Sequence, residues 1–528
     1  MKKILVSDAL SEEGLKIFRD VKEFQVDVKT DLKPEMLKEI IKDYDALVVR
    51  SATKVTKDII GASDRLKVIG RAGVGLDNVD LEAATQKGII VMNTPAGNTI
   101  STAEHTMSMI LSLSRSIPQA NASVKLGEWK RSKFMGVELY GKILGIVGLG
   151  RIGTEVAKRA KSFGMKILAF DPYLSLEVAQ GIGVEVVELE ELFQRVDYIT
   201  VHVPLSSETK HMISDGQFAI MKKGVRVINC ARGGIVDEAA LVKAVKEGKV
   251  SGAALDVFEN EPLLADSELL KLNNVILTPH LGASTEEAQV NVAIEVAHIV
   301  SDALLGKGIQ NAANYPCVEP EAYKAIEPYI NLAEKTGLFS CQLIEGRLKE
   351  LNIIYSGDIS RHNLTPLTLA LVKGLLTPIL GETVNSINAL ALAKERGIKI
   401  NEAKSSKEEE FVNLIQLELK TDKETRRILG TLSSNKQPRI VKIDEYYVEV
   451  IPMGDLIFVE NWDRPGIIGN LGMFLGKYNI NIAAMTFGRE APGGKAISVL
   501  NVDTPVSAKI LEEIKKIENI LSVKGIRL

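Results

Sequence analysis

The chain is short of cysteine: Cys230, Cys317 and Cys341 are the only three in 528 residues, far apart and without a CxxC pair. So sparse and odd a set argues against a disulfide framework and fits a reducing compartment. An excess of one charge is lacking too. Lys+Arg 65 against Asp+Glu 68 leaves a net charge of −3, which gives no reason to expect nucleic acid or an anionic membrane as partner. No run approaches the ~20 apolar residues that span a bilayer, and MKKILVSDAL reads as a first strand, not a signal peptide. No long repeat or low-complexity tract stands out. These absences lead us to expect a cytoplasmic globular protein, and its length suggests three or four domains at about 150 residues each.

Residues 3 to 98 alternate short apolar runs (KILVSD, FQVDV, ALVVR, KVIGR, IIVMN) with helical patterns at 11–20, 34–42 and 80–87. That alternation implies an α/β fold with a parallel sheet covered on both faces. A longer helix follows, with Ser101 and Glu104 spaced as a capping box. Strand–helix alternation resumes at Lys142 and runs to about Pro279 through KILGIVG, KILAFD, YITVHVP, VRVINC, GAALDV and VILTP, the pattern of a doubly wound dinucleotide-binding domain. A helix over about 285–305 ends at Gly306 and Gly308. Two prolines and several small residues in NAANYPCVEPE suggest a linker. Beyond it, 320–452 reads as α/β, with a helix near 328–345, strands at LNIIYSG and VNLIQLELK, and a charged loop at AKSSKEEE. The last segment, 453–528, reads strand, helix, strand, strand, helix, strand, a ferredoxin-like unit.

Gly148-Leu-Gly150-Arg-Ile-Gly153 follows an apolar strand and opens a helix. The first glycine permits the tight turn, the second lets backbone approach a pyrophosphate, and the third lets helix and strand pack closely. The pyrophosphate would meet the positive end of that helix. Asp171 ends the next strand, where a carboxylate can accept from both ribose hydroxyls of NAD and would repel the 2′-phosphate of NADP. Further on, Arg232, Glu261 and His280 each follow an apolar strand. Ligands of open α/β sheets bind at the carboxyl ends of strands, so all three should face one crevice. Oxidising an alcohol by hydride transfer needs a base for the hydroxyl proton, which a histidine provides near neutral pH. A carboxylate beside it orients the imidazole and stabilises its charged form. A guanidinium holds a substrate carboxylate in bidentate fashion. The other histidines have no such context and read as structural or exposed.

CARGGIVDEAAL, ALDVFENEP and TPHLGASTEEAQ resemble the three signatures of the D-isomer-specific 2-hydroxyacid dehydrogenases, and GLGRIGTEVAKRAKSFGMKILAFDPY resembles their cofactor signature. The resemblance covers residues 1 to about 310. It implies Arg232, Glu261 and His280 as the catalytic set and NAD as cofactor. It extends the cofactor-binding set from Gly148, Gly150, Gly153 and Asp171 to Arg151, Ile152, Val203, Pro204, Ala231, Asp256 and Gly282. It also implies a split flavodoxin-like substrate domain, 1–98 with 283–315, around a Rossmann domain, 99–282, with an intervening domain at 316–452 and a regulatory ACT domain at 453–528.

Within the family, the long phosphoglycerate-oxidising members are similar in particular. VRSATKV around Arg50 and Ser51 resembles their substrate loop. IGRAGVGLDNVD supplies Arg71, Gly73, Val74 and Asn78, with the N–H groups of Gly73 and Val74 as receivers of the substrate carboxylate. WKRSKFMGVEL supplies Arg131 in a basic loop that in relatives reaches a neighbouring subunit. Arg50 and Arg71 both end apolar strands and should face the cleft, as a substrate phosphate requires. GDISRHNLTPLTLALVKGLL and TVNSINALALAKERGIKI look like their intervening domain. DRPGIIG and NINIAAM look like an ACT motif, with Asp463 and Asn481 as effector-binding residues and Asn461 where some serine-sensing relatives carry a tyrosine. The resemblance implies 3-phosphoglycerate as substrate, a place at the first step of serine synthesis, L-serine as effector, and a homo-oligomer, dimer or tetramer. Two alternatives stay open at this point: a hydroxypyruvate or glyoxylate reductase of the same family, and an NAD-sensing binding protein.

Overall fold

The computed structural model describes residues 1–174, 176–316, 320–405 and 411–528. Cys317 and residues 406–410 of the charged AKSSKEEE stretch lie outside them.

The five expected N-terminal strands form one parallel sheet: β1 (Lys2–Val6), β2 (Phe24–Val28), β3 (Ala46–Val49), β4 (Val68–Arg71) and β5 (Ile90–Asn93), in the order β2-β1-β3-β4-β5. Every residue of β3 is buried, as expected of a strand covered on both faces. One cover comes from far along the chain. The Glu286–Leu305 helix returns to β4, and a Cβ on Gly70 would stand 2.4 Å from Val300. Gly14, on the Glu12–Arg19 helix, meets the Ala293 backbone as closely, at 2.7 Å. Thr285 caps the returning helix by accepting from the Ala288 N–H, and Gly306 closes it in the left-handed region. Its 20 residues are apolar enough to cross a bilayer, but half of that stretch is buried in this packing, so it serves as a core helix.

The second sheet is also parallel: β6 (Ile143–Val147), β7 (Lys166–Phe170), β8 (Glu185–Val186), β9 (Tyr198–Val201), β10 (Val225–Asn229), β11 (Val250–Leu255) and β12 (Val275–Leu277), in the order β12-β11-β10-β9-β6-β7-β8. The order reverses between β6 and β9, which fixes the crevice at the carboxyl ends of those strands. The expected capping box does not form. The helix runs Thr99–Arg115 with Asn98 at its N-cap, Ser101 Oγ donates to the Asn98 carbonyl (3.0 Å), and Glu104 pairs with Arg159 instead. The helix starts earlier because Asn98 already stands at the crossing between the two sheets.

The third sheet joins β13 (Leu348–Gly357), β14 (Lys399–Ser405), β15 (Asn413–Thr421), β16 (Thr425–Leu432), β17 (Pro438–Ile443) and β18 (Tyr446–Val450) in the order β14-β13-β15-β16-β17-β18. Only β13 and β14 run parallel. Two helices, Pro320–Leu343 and Thr365–Leu380, lie together so closely that a Cβ on Gly374 would be 2.0 Å from the Glu334 carbonyl oxygen. The fourth sheet, β19 (Asp455–Trp462), β20 (Ile482–Arg489), β21 (Lys495–Val502) and β22 (Ile520–Arg527), is antiparallel in the order β20-β21-β19-β22. With the helices Ile467–Lys477 and Ala508–Ile514 it makes the expected ferredoxin-like unit. The helices cover one face and close a core with Ile457, Val459, Leu471, Leu500 and Ile514, while the other face packs on the preceding unit. Phe458, Ile497, Val499 and Ile526 share one apolar core with Leu371, Ile415 and Val450 of the preceding unit. Arg426 on β16 bonds Glu460 on β19 across the same seam (2.8 Å).

Candidate active site

The carboxyl ends of the first two sheets face each other. A cavity of about 660 Å³ between them is lined by Arg50, Ser51, Arg71 and Gly73 from the first and by Glu261, Thr278 and His280 from the second. A neighbouring cavity of about 360 Å³ is lined by Val74, Asp77, Ile152, Val203, Pro204, Ala231, Arg232 and Gly282. His280 lines both.

His280 sits at φ +56, a strained backbone for a non-glycine residue. Its N–H donates to the Asp256 carbonyl at 2.9 Å. Its Nδ1 stands 2.8 Å from Glu261 Oε2, while Glu261 Oε1 accepts from the Phe258 N–H at 3.1 Å. The carboxylate is therefore held at one end and fixes the imidazole with the other. This leaves Nε2 as the nitrogen able to exchange a proton with a ligand.

Three guanidiniums converge opposite. Arg71 lies on Gly73, where φ is +142 and a Cβ would be 1.6 Å from Nη1. Arg232 lies on Gly75, where a Cβ would be 2.0 Å from Nη2. Two glycines thus let two cations press flat against backbone. Arg232 is further held by Asp77 (Nε–Oδ2 3.1 Å) and by the Ala231 carbonyl (2.6 Å). Arg71 Nε is buried without a hydrogen-bond partner among the described residues. Burial, then the nearby Arg232, pushes the Arg71 pKa down to about 10. A multiply charged anion in the cleft would relieve that repulsion. Arg50 is anchored through its N–H to Asp8 (2.6 Å) and donates Nη1 to the Ala9 carbonyl (3.2 Å).

Several expected groups take other roles. The Gly73 N–H is engaged by Thr94 Oγ1 at 2.6 Å, so it is not free to receive a carboxylate; Val74 remains on the cavity wall. Asn78 donates Nδ2 to the carbonyls of Arg50 and Thr53, both at 2.7 Å, and braces the loop 50–53 rather than lining the cleft. Arg131 lies in an exposed 3-10 turn, Arg131–Phe134, outside both cavities. Asp256 is fully buried, and its oxygens accept from Thr278 Oγ1, Leu281 N–H and Gly282 N–H, which makes it an internal brace instead of a cavity group. His105, read as structural or exposed, stands 3.2 Å from that carboxylate. The sequence reading also passed over Asp77, Asn98, His202, Ser284 and Gln289, all on the cavity walls. Adjacency was the available signal: Asp77 precedes Asn78, and His202 precedes Val203. Burial lowers the His202 pKa to about 4, so it is neutral at physiological pH.

The glycine motif fits a dinucleotide position by position. Gly148 has φ +91, with His202 O and Val203 Cγ1 each 2.7 Å from a Cβ there. Gly150 faces open space, as backbone approach to a pyrophosphate requires. At Gly153 a Cβ would stand 2.1 Å from the Gly148 carbonyl oxygen, so only glycine keeps helix and strand together. Arg151 is exposed at the start of the Arg151–Ser162 helix. Asp171 accepts from the N–H groups of Leu149 and Tyr173, both at 2.9 Å, which sets its carboxylate beside the glycine turn. Each oxygen retains a lone pair for a ribose hydroxyl.

In the fourth sheet, a cavity of about 520 Å³ is lined by Asn461, Asp463, Arg464, Gly466, Arg489 and Gly493. The Gly493 N–H, then Arg489, holds the Asp463 carboxyl below its ordinary range. Asn481 is not part of this cavity; its amide donates to Asp503 (2.7 Å).

Three family models match in succession: the NAD binding domain of D-isomer specific 2-hydroxyacid dehydrogenases over residues 107–282, the D-3-phosphoglycerate dehydrogenase intervening domain over 325–444, and the ACT domain over 456–519. The chain is similar to the D-3-phosphoglycerate dehydrogenase of Methanocaldococcus jannaschii, 49% identical with 100% of each chain covered. Its similarity to that of Bacillus subtilis is 46%, again over 100% of each. Against the human protein of the same name it is 47% identical, over 77% of this chain and 76% of that one. Among solved structures, a D-lactate dehydrogenase from Aquifex aeolicus complexed with NAD and lactic acid matches 60% of this chain and 100% of its own, at 32% identity and a TM-score of 0.53. From motif, cleft and full-length likeness together, the chain belongs to the D-3-phosphoglycerate dehydrogenases, NAD-dependent members of the D-isomer specific 2-hydroxyacid dehydrogenase family.

Proposed function

We propose that this chain oxidises 3-phosphoglycerate to 3-phosphohydroxypyruvate at the cleft between the first two sheets, as the first step of serine synthesis, with the residues in the following roles. The observation that carries the reading is the meeting of the His280–Glu261 pair with Arg50, Arg71 and Arg232 around one cavity. The substrate carries two anionic ends, and three cations on two walls match both. Its phosphate faces Arg50, Ser51 and Arg71. Its carboxylate faces Arg232 and the Val74 N–H, and Arg232 also polarises the reacting oxygen.

Gly148–Gly153 would hold NAD, with Asp171 for its ribose, and the cofactor would supply the hydride acceptor. His280 Nε2 takes the hydroxyl proton, and Glu261 stabilises the imidazolium that forms. In the reverse direction the same nitrogen returns the proton to the oxo group. His202, neutral at physiological pH, would add no charge to the wall of the smaller cavity.

The domain division we propose is 1–98 with 283–315 for substrate, 99–282 for NAD, 316–452 intervening and 453–528 regulatory. L-serine is the proposed effector, at the Asn461 and Asp463 cavity. Its ammonium would meet the Asp463 carboxylate, and its carboxylate would meet Arg464 or Arg489. We place the protein in the cytoplasm and read it as a homo-oligomer, dimer or tetramer. Exposed Leu126, Trp129 and Met135, beside Arg131, support a second copy covering that arm. The direct test follows NADH absorbance with 3-phosphohydroxypyruvate and with hydroxypyruvate. Faster turnover of the phosphorylated acid supports the reading; turnover of the unphosphorylated acid alone overturns it.

A further inference from the structure

The buried Asp256 bonds the segment that carries His280 at four points. Its Oδ1 accepts from Thr278 Oγ1 (2.6 Å) and the Leu281 N–H (2.7 Å), its Oδ2 accepts from the Gly282 N–H (2.9 Å), and its main-chain carbonyl accepts from the His280 N–H (2.9 Å). One residue therefore grips 278–282 on both sides of His280 and holds it at φ +56. Asp256 is itself fully buried. A buried carboxylate stays ionised only with enough donors around it. The direction of its pKa, lowered despite burial, reflects such donors, with His105 first among them.

His105 comes from a different element. It lies on the Thr99–Arg115 helix, at the first crossing between the two sheets, with Nε2 3.2 Å from Asp256 Oδ1 and 3.4 Å from Thr278 Oγ1. One turn earlier on that helix, Thr102 Oγ1 donates to the Gly282 carbonyl at 3.1 Å, on the second crossing. The helix thus meets the His280 segment twice, once through a hydroxyl and once through the imidazole.

Building on the reading of His280 as the base, we propose that His105 is a positioning residue for catalysis. Its Nε2–H completes the donor set of Asp256 and so fixes the segment that presents His280 to substrate. It touches neither substrate nor the reacting atoms. Its loss leaves the glycine motif, Asp171 and the three arginines in place, while the imidazole of His280 loses its alignment with Glu261.

Two substitutions separate this from a packing role. Glutamine can set an amide N–H close to where Nε2 stands; asparagine, shorter by a methylene, cannot. With the full-length protein and 3-phosphohydroxypyruvate, H105N is expected to lower kcat by about tenfold to a hundredfold, the effect of one donor lost from a buried charge. Its KM and its NADH affinity, read by fluorescence titration, are expected to stay within about twofold of native. H105Q is expected to recover kcat to within about threefold. Equal kcat in the two variants, both native-like or both impaired, overturns the proposal, as does a loss in H105N carried by KM or NADH affinity. If H105N does not fold, H105Q decides alone: a folded H105Q with kcat down tenfold or more overturns it, and near-native kcat supports it. Inactivity of the native protein toward this substrate would instead fault the function assigned to the cleft.

Discussion

In the function proposed for the cleft, His280 and Arg71 matter most at the residue scale, and their surroundings state what each should do when changed. His280 is held by Glu261 at 2.8 Å and lies outside the glycine turn that would hold NAD. His280→Ala should therefore lower turnover by about 10²- to 10⁴-fold, the usual worth of a general base, while NADH titration by fluorescence changes little. Loss of NADH binding would show that the residue holds cofactor rather than moves a proton. Arg71, pushed down to about 10 by burial and by Arg232, is protonated below that pH. Its share of phosphate binding is complete at neutral pH and falls as pH rises through about 10. KM for the phosphorylated acid measured against pH should stay flat up to about 9 and climb above it. A flat KM beyond 10.5 would show that the guanidinium keeps its proton there, against the effect of burial and Arg232. That Arg232, Glu261 and His280 meet at one cleft was legible because each follows an apolar strand of the same parallel sheet. The bonds that bury the Asp256 carboxylate were not legible because a side chain's burial does not show in a signature, and the contact of His105 was not because its partner lies far along the chain.

At the scale of elements, the reading was best where both faces of a strand are buried. Strands β1, β3, β4 and β5 of the first sheet and the main ones of the second carry continuous apolar runs, whereas the edge strand β2, FQVDV, alternates apolar with polar positions. The two-residue β8 gives no pattern to find. Strands β16 to β18 alternate buried with partly exposed positions and carry Arg426, Arg427, Arg439 and Lys442, so they resemble polar loops in sequence. Helix starts were harder still. Ser101 with Glu104 has the spacing of a capping box, yet tertiary contacts draw Glu104 to Arg159. The glycine motif carries the sharpest expectation at this scale. Gly153→Val would put side-chain atoms into the Gly148 carbonyl, where a Cβ alone comes to 2.1 Å. Overpacking of this kind costs about 1–3 kcal/mol. NADH affinity should fall at least about tenfold and the melting temperature should drop. Native affinity in this variant would contradict the packing role given to the third glycine.

The whole molecule is less divisible than its sequence suggests. Composition changes at 311–321, but no such change marks the passage from β18 to β19, where the two C-terminal sheets share one core through Phe458, Ile497 and Val499. Ending the chain after residue 452 would strip that core of its second face. We expect such a truncation to aggregate or melt well below the full chain, whereas ending it near residue 315 should keep a folded, active dehydrogenase that no longer responds to serine. Thermal melts and assays of both truncations check this. An equally stable chain ending at 452 would contradict the shared core. Contact between the catalytic and C-terminal parts includes Asn385, whose Nδ2 donates to the Gly88 carbonyl at 2.8 Å, beside Asn388 and Gln86. An effector signal crossing there would act on the first sheet, and through it on Arg50 and Arg71.

The central claim is that this cleft selects a phosphorylated 2-hydroxy acid through its arginines. It is tested most directly by kcat/KM for 3-phosphohydroxypyruvate relative to hydroxypyruvate, measured in the native protein and in Arg71→Ala under the same conditions. The account predicts a strong native preference for the phosphorylated acid that shrinks by about tenfold to a hundredfold in the variant. An unchanged ratio, with both substrates weakened alike, would contradict it.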